Sequence, residues 1–168
     1  KVFGDQRGFF MESYSAERYA QAGIKEVFVQ DNVSLSRRGV LRGLHWQNPN
    51  AQGKLVSVLT GAVWDVAVDL RLGSKTFGQS FTVELNDENH RQFYLPPGFA
   101  HGFVTLSETA HFCYKCTEYY NPKAEHTLMW NDPDLNICWP DVRSIVVSEK
   151  DQKGVSFKNL AKETLISI

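Results

Sequence analysis

Through the middle of the chain, apolar and polar residues alternate with a period of two. That is the spacing at which successive side chains of an extended strand fall on opposite faces. The alternation comes in short runs: Val27–Ser34, Val40–Gln47, Lys54–Leu59, Ala62–Leu70, Gln79–Leu85, Arg91–Leu95, His101–Leu106 and Ala110–Thr117. Between them stand residues that favour turns, among them Gly39, Gly53, Gly61, Gly73-Ser74, Asn86-Asp87, Pro96-Pro97-Gly98 and Ser107-Glu108. Many short strands with regular turns predict an all-β fold, a barrel or sandwich with a few short helices. One helix is expected from Ser15 to Gly23, with Ser15 as N-cap and Gly23 at its C-terminal stop. The polar tail after Ser148 is expected to hold short helical turns. No internal repeat, low-complexity tract or linker interrupts the pattern, so residues 1–168 are expected to form one domain.

Composition narrows the class. A chain of 168 residues, 42% hydrophobic and 22% charged, has ordinary globular proportions and enough length to bury a core. The net charge of -1 provides no global field to draw the protein onto nucleic acid or an anionic membrane. Any anionic ligand must therefore be held by a local cluster of Arg and Lys. No apolar run approaches the roughly 20 residues that a membrane helix needs. The N-terminus, Lys1-Val2-Phe3-Gly4-Asp5, has no apolar signal region and no initiator Met, so residues upstream are expected to be missing. The three cysteines, Cys113, Cys116 and Cys138, are an odd, low count that fits a reducing cytoplasm.

A fold of this kind offers a concave mouth for a small molecule, and several polar residues sit where a structural strand prefers apolar ones. Arg42-Gly-Leu-His45-Trp-Gln47 is the densest case; Lys54 follows, and His101 stands after the Pro97-Gly98 turn. Asp65 and Asp69 share one face of the Ala62–Leu70 strand, which marks either solvent or a polar cavity. Arg42 and His45 are three apart, so a regular strand aims them at opposite faces. Either Gly43 marks a bulge, or Arg42 reaches a ligand at the rim or in a neighbouring subunit. Metal-site patterns are weak. Cys113-x-x-Cys116 lies on a predicted strand, where residues three apart diverge. The positions two before and two after His45 are Gly43 and Gln47, so there is no His-x-His pair; His90, His111 and His126 are scattered.

Taken in order, a set of segments resembles the dTDP-4-dehydrorhamnose 3,5-epimerase family. They begin with Phe3-Gly-Asp-Gln-Arg7-Gly-Phe-Phe-Met-Glu12, Phe28-Val-Gln-Asp-Asn32-Val-Ser34, Val40-Leu-Arg-Gly-Leu-His45-Trp-Gln47 and Gly53-Lys-Leu-Val56. Asp65-Val-Ala-Val-Asp-Leu-Arg71, Pro97-Gly-Phe-Ala-His-Gly-Phe103, Tyr114-Lys115, Tyr119-Tyr120, Trp130-Asn-Asp-Pro133 and Ser148-Glu-Lys-Asp151 continue it. The resemblance implies a cupin-type jelly-roll, a homodimer, and no metal or organic cofactor. It implies the substrate dTDP-4-dehydro-6-deoxy-D-glucose, inverted at C3 and C5 to dTDP-4-dehydro-L-rhamnose on the way to dTDP-L-rhamnose and cell-surface polysaccharide.

Site residues follow from the same resemblance. His45 matches the proton acceptor, Asp151 its carboxylate partner, Tyr114 the proton donor and Lys54 the cation near the C4 oxygen. Arg7 and Arg42 match positions that bind the pyrophosphate. Glu12, Gln30, Asp31, Asn32, His101, Glu125 and Lys150 match further substrate contacts, and Tyr120 matches the aromatic that stacks on thymine. These residue types suit the reaction. The C4 ketone acidifies C3 and C5, and inversion needs a base on one face of the sugar and an acid on the other. Imidazole, with an ordinary pKa of about 6.5, is a base at neutral pH. The rivals are a relative that inverts C3 alone, a metal-dependent cupin and a sugar-nucleotide-binding module without catalysis.

Overall fold

A computed structural model describes all 168 residues. The alternating runs become strands, preceded by a hairpin of β1 (Val2–Asp5) and β2 (Gly8–Met11) and by helix α1 (Ala16–Gln21). The strands are β3 (Gln30–Arg37), β4 (Val40–Gln47), β5 (Lys54–Thr60), β6 (Ala62–Asp69), β7 (Ser80–Asn86), β8 (Gln92–Leu95), β9 (Phe99–Thr105) and β10 (Thr109–Cys116). The short strands β11 (Glu125–Thr127) and β12 (Val146–Val147) and helix α2 (Glu149–Gln152) follow, then two turns of 3-10 helix at Phe157–Asn159 and Lys162–Thr164.

The strands form two main sheets, ordered β3-β10-β5-β8 and β11-β4-β9-β6-β7, with β12 pairing parallel to β4. This is the all-β jelly-roll type expected from the sequence. The inner faces meet in a core of Val56, Val58, Leu95 and Phe112 from one sheet and Val63, Ala67, Leu85 and Phe103 from the other. The Phe103 and Phe112 rings stack at 4.1 Å. Each large side chain buried this way contributes about 1.5–3 kcal/mol. A second core covers the outer face of the larger sheet, where Leu44, Trp46, Val66, Val68 and Ala100 pack under Leu128, Leu135 and Leu165 of the later chain. The alternation along β6 is thus as read: Val66 and Val68 face the second core, Val63 and Ala67 the first.

Boundaries differ where pairing decides them. β3 starts at Gln30 rather than Val27, because its partner β10 ends at Cys116, opposite Gln30. The hairpin, β11 and β12 were too short to show a period. Ser15 is the N-cap of α1 as expected, with extended backbone, although its side chain makes no capping hydrogen bond. No helix is long and apolar enough to cross a membrane.

One local device positions the site. The register of β4 against β9 shifts between Arg42 and His45. Gly43 has φ +115°, and a Cβ there would lie 2.6 Å from the His101 carbonyl oxygen and 2.7 Å from Gly102 Cα. Only glycine lets the two backbones approach so closely at that φ. The bulge turns both Arg42 and His45 toward the same cavity, which resolves their awkward spacing. Gly43→Ala is therefore expected to lower stability by about 2 kcal/mol or more, through overpacking and left-handed strain together, as read by chemical denaturation. A loss below about 0.5 kcal/mol would contradict this account of the bulge.

Candidate active site

A cavity of about 560 Å³ opens between the two sheets. β4 supplies Arg42 and His45, β9 supplies His101, β5 supplies Lys54 and β10 supplies Tyr114; Tyr120, Glu125, Lys150 and Asp151 come from the later chain. His45 and Tyr114 thus enter from opposite sheets. Phe112 of β10, stacked on Phe103 of β9, forms an apolar wall.

The histidine is held firmly. His45 Nε2 lies 2.6 Å from Asp151 Oδ1, while the Gly43 N–H donates to Asp151 Oδ2 at 3.1 Å. Ser148 caps α2, its hydroxyl accepting from the Asp151 N–H at 3.1 Å. Ser148-x-x-Asp151 is a helix-capping pattern, so this support was readable from spacing alone. Asp151 is 4% exposed. Burial pushes its carboxyl up, but the hydrogen bond and charge of His45, with the Gly43 and Ser148 bonds, outweigh that and hold it below the ordinary value. With Nε2 engaged, Nδ1 is the ring nitrogen left to take a proton.

Tyr114 is the opposite case. Burial is the main cause that pushes its phenol above the ordinary value, with Cys116 and Glu125 adding and Arg42 opposing. It therefore stays protonated and able to donate. Lys54, half-buried beside Tyr114's strand, has its amine pushed below the ordinary value by burial, while Cys116, Glu125 and Asp65 pull the other way. At the mouth Tyr120 Oη donates to Glu125 Oε2 at 2.8 Å, and Lys150 Nζ donates to the same carboxylate. Burial raises Glu125, but the Lys150 and Tyr120 bonds win and leave it below its ordinary value. Arg42 Nε donates to Ser36 Oγ at 3.0 Å, which fixes the guanidinium.

The remaining expected residues are placed differently. Gln30 accepts from the Tyr120 N–H at 2.9 Å and donates to Asn32 at 3.0 Å, so both border the mouth without lining the cavity. Asp31 faces the outer side of its sheet, paired with Lys115 at 2.8 Å. Arg7 sits on the hairpin turn beside Asp5, and Glu12 pairs with Arg18 at 3.3 Å; both are away from the cavity of their own chain. Residues the sequence reading did not assign are Ser36, Ser148 and Asp65. Asp65 was recognisable as a polar-cavity candidate, and its partner His101 could not be read from spacing.

A jelly-roll whose cavity is lined by a carboxylate-backed imidazole, a phenol held neutral by burial and a half-buried amine belongs to the class of carbohydrate epimerases. The family model for dTDP-4-dehydrorhamnose 3,5-epimerase matches residues 1–159. The chain belongs to the dTDP-4-dehydrorhamnose 3,5-epimerase family. It is 55% identical to the dTDP-4-dehydrorhamnose 3,5-epimerase of Pseudomonas aeruginosa over 94% of this chain and 87% of that protein. It is 53% identical, with a TM-score of 0.98 over 100% of this chain and 90% of the other, to the crystal structure of a dTDP-6-deoxy-D-glucose-3,5-epimerase from Legionella pneumophila in complex with dTDP-4-keto-L-rhamnose. A 3'-monoepimerase from Streptomyces bikiniensis, in complex with dTDP-quinovose, shares the fold at TM-score 0.91 but only 34% identity, over 99% of this chain and 85% of that one.

The lowered Asp151 carboxyl has a signed consequence. Its contribution to stability is complete above about 3.8, the ordinary value, and is lost as pH falls through its lower folded value. The stability gap between the wild type and Asp151→Asn is expected at pH 5–6 and to narrow on acidification below about pH 4, by denaturation at each pH. A gap that widens toward acid would contradict the pairing.

Proposed function

We propose that the protein inverts C3 and C5 of dTDP-4-dehydro-6-deoxy-D-glucose by proton transfer through enolates, giving dTDP-4-dehydro-L-rhamnose. The observation that carries this reading is the entry of His45 and Tyr114 from opposite sheets into one cavity, with Lys54 beside them. His45 Nδ1 takes the proton from the carbon next to the ketone, and Asp151 holds the ring and stabilises the imidazolium. The electron pair of the broken C–H bond moves into the enolate, whose oxygen lies against the Lys54 ammonium. Tyr114 delivers a proton to the other face of the same carbon. Exchange with water then resets the phenol and the imidazole before the second carbon reacts.

Binding is assigned by charge and shape. Arg42 takes the pyrophosphate, Tyr120 stacks on the thymine, and His101, Glu125, Lys150, Gln30 and Asn32 contact the nucleotide sugar. Arg7, Glu12 and Asp31 serve a substrate only if a second copy brings them to its cavity, and we propose a homodimer that does so. Its support is apolar surface: Val33, Leu35 and Leu59 on the outer face of the smaller sheet, with Phe9 and Phe10 on the hairpin, are all more than half exposed. We place the enzyme in the cytoplasm, where its three unpaired cysteines are stable.

Turnover in D2O separates the readings. Deuterium at both C3 and C5 is expected; deuterium at C3 alone would favour a monoepimerase, and none at either carbon would sink both. His45→Ala should lose exchange at both carbons, at least about 10³-fold, and Lys54→Met should slow turnover about 10²–10³-fold. For the dimer, Leu35→Asp is expected to give a monomer by sedimentation; a wild type already monomeric at micromolar concentration overturns that assignment.

A further inference from the structure

A second histidine–carboxylate pair adjoins the cavity, and the mechanism above leaves its carboxylate idle. His101 lies opposite His45 in the β4–β9 pairing and lines the cavity while only 7% exposed. Its Nε2 is 3.0 and 2.9 Å from the two carboxylate oxygens of Asp65. Asp65 is wholly buried on β6, and His101 is the only hydrogen-bonding partner of its side chain. Its neighbours on that face of the strand, Val63 and Ala67, are core residues. A carboxylate stripped of water beside them is costly, and an apolar side chain would fill the place without that penalty. Packing therefore gives no reason for Asp65.

The ring chemistry does. With Nε2 occupied, Nδ1 is the remaining polar atom of His101; it has no partner within the protein and is not sealed off from the cavity. We propose that Asp65 is a positioning residue for the reaction. It accepts the Nε2 proton of His101, fixes the neutral ring in that tautomer, and so presents Nδ1 as an acceptor to a hydroxyl of the bound sugar. A bare imidazole nitrogen can only accept, so its partner must be a donor, and the donors on such a sugar ring are hydroxyls. His45 and His101 are then matched in design: each spends Nε2 on a buried carboxylate and leaves Nδ1 free, the first to take a proton from carbon, the second to hold the ring in place. The inference rests on the proposed sugar-nucleotide epimerisation.

Two measurements on the full chain test it. In 15N spectra of the imidazoles, the histidine whose signals vanish in His101→Gln should show a protonated Nε2 and a bare Nδ1 in the wild type. The reverse tautomer overturns the proposal, and this reading stands even if Asp65 variants do not fold. In kinetics, Asp65→Asn should lower kcat/KM roughly 30–100-fold, but less than about threefold in a His101→Gln background. An equal loss in both backgrounds means that Asp65 acts through Lys54 or through the fold, and overturns the assignment. Failure of the epimerase reading shows separately, as absence of deuterium incorporation by the wild type.

Discussion

The site depends on one carboxylate that joins distant parts of the chain. Asp151, on a short helix late in the sequence, bonds both the backbone N–H of Gly43 and the ring of His45. The first bond secures the bulge in β4 and the second orients the imidazole within it. Each needs the other: without the bulge Arg42 and His45 face opposite ways, and without the carboxylate the bulge carries a free N–H and a loose imidazole. The later chain can deliver Asp151 because Leu128, Leu135 and Leu165 lie against the outer face of the same sheet. Apolar packing on one face of β4 thus sets the geometry on the other.

Polar groups inside the cavity are gathered around hydrogen-bonded carboxylates. Lys150 and Tyr120 converge on Glu125, His45 on Asp151, and His101 on Asp65. This keeps several ionisable groups in a confined space at tolerable desolvation cost. Two groups stand apart from the pairing. Tyr114 is kept neutral by burial, and Lys54 has opposite charges near it but no hydrogen-bonded carboxylate.

The strands were legible because their alternation is regular: β4, β6 and β10 fall within a residue or two of their expected limits. What periodicity could not supply were elements defined by a partner. Glu125–Thr127 and Val146–Val147 are strands only because β4 is beside them. In the site, the cluster around residues 42–54 and the later Tyr114 were readable as motifs and meet in one cavity. Arg7, Glu12 and Asp31 belong to the same motifs yet lie away from the cavity of their own chain, because a motif records which residues a family shares, not where the fold of one chain places each of them. The His101–Asp65 pair joins residues 36 positions apart in the chain, a distance no local pattern spans.

The environment of Lys54 has a thermodynamic corollary. Its amine is half-buried on the cavity wall, where burial disfavours the charged form and no carboxylate is hydrogen-bonded to it in return. A neutral ketone offsets little of that penalty, whereas an oxygen bearing full negative charge offsets much more. An amine so placed would give its strongest attraction to an anionic species rather than to the starting ketone, which is the differential binding that the proposed reaction calls for.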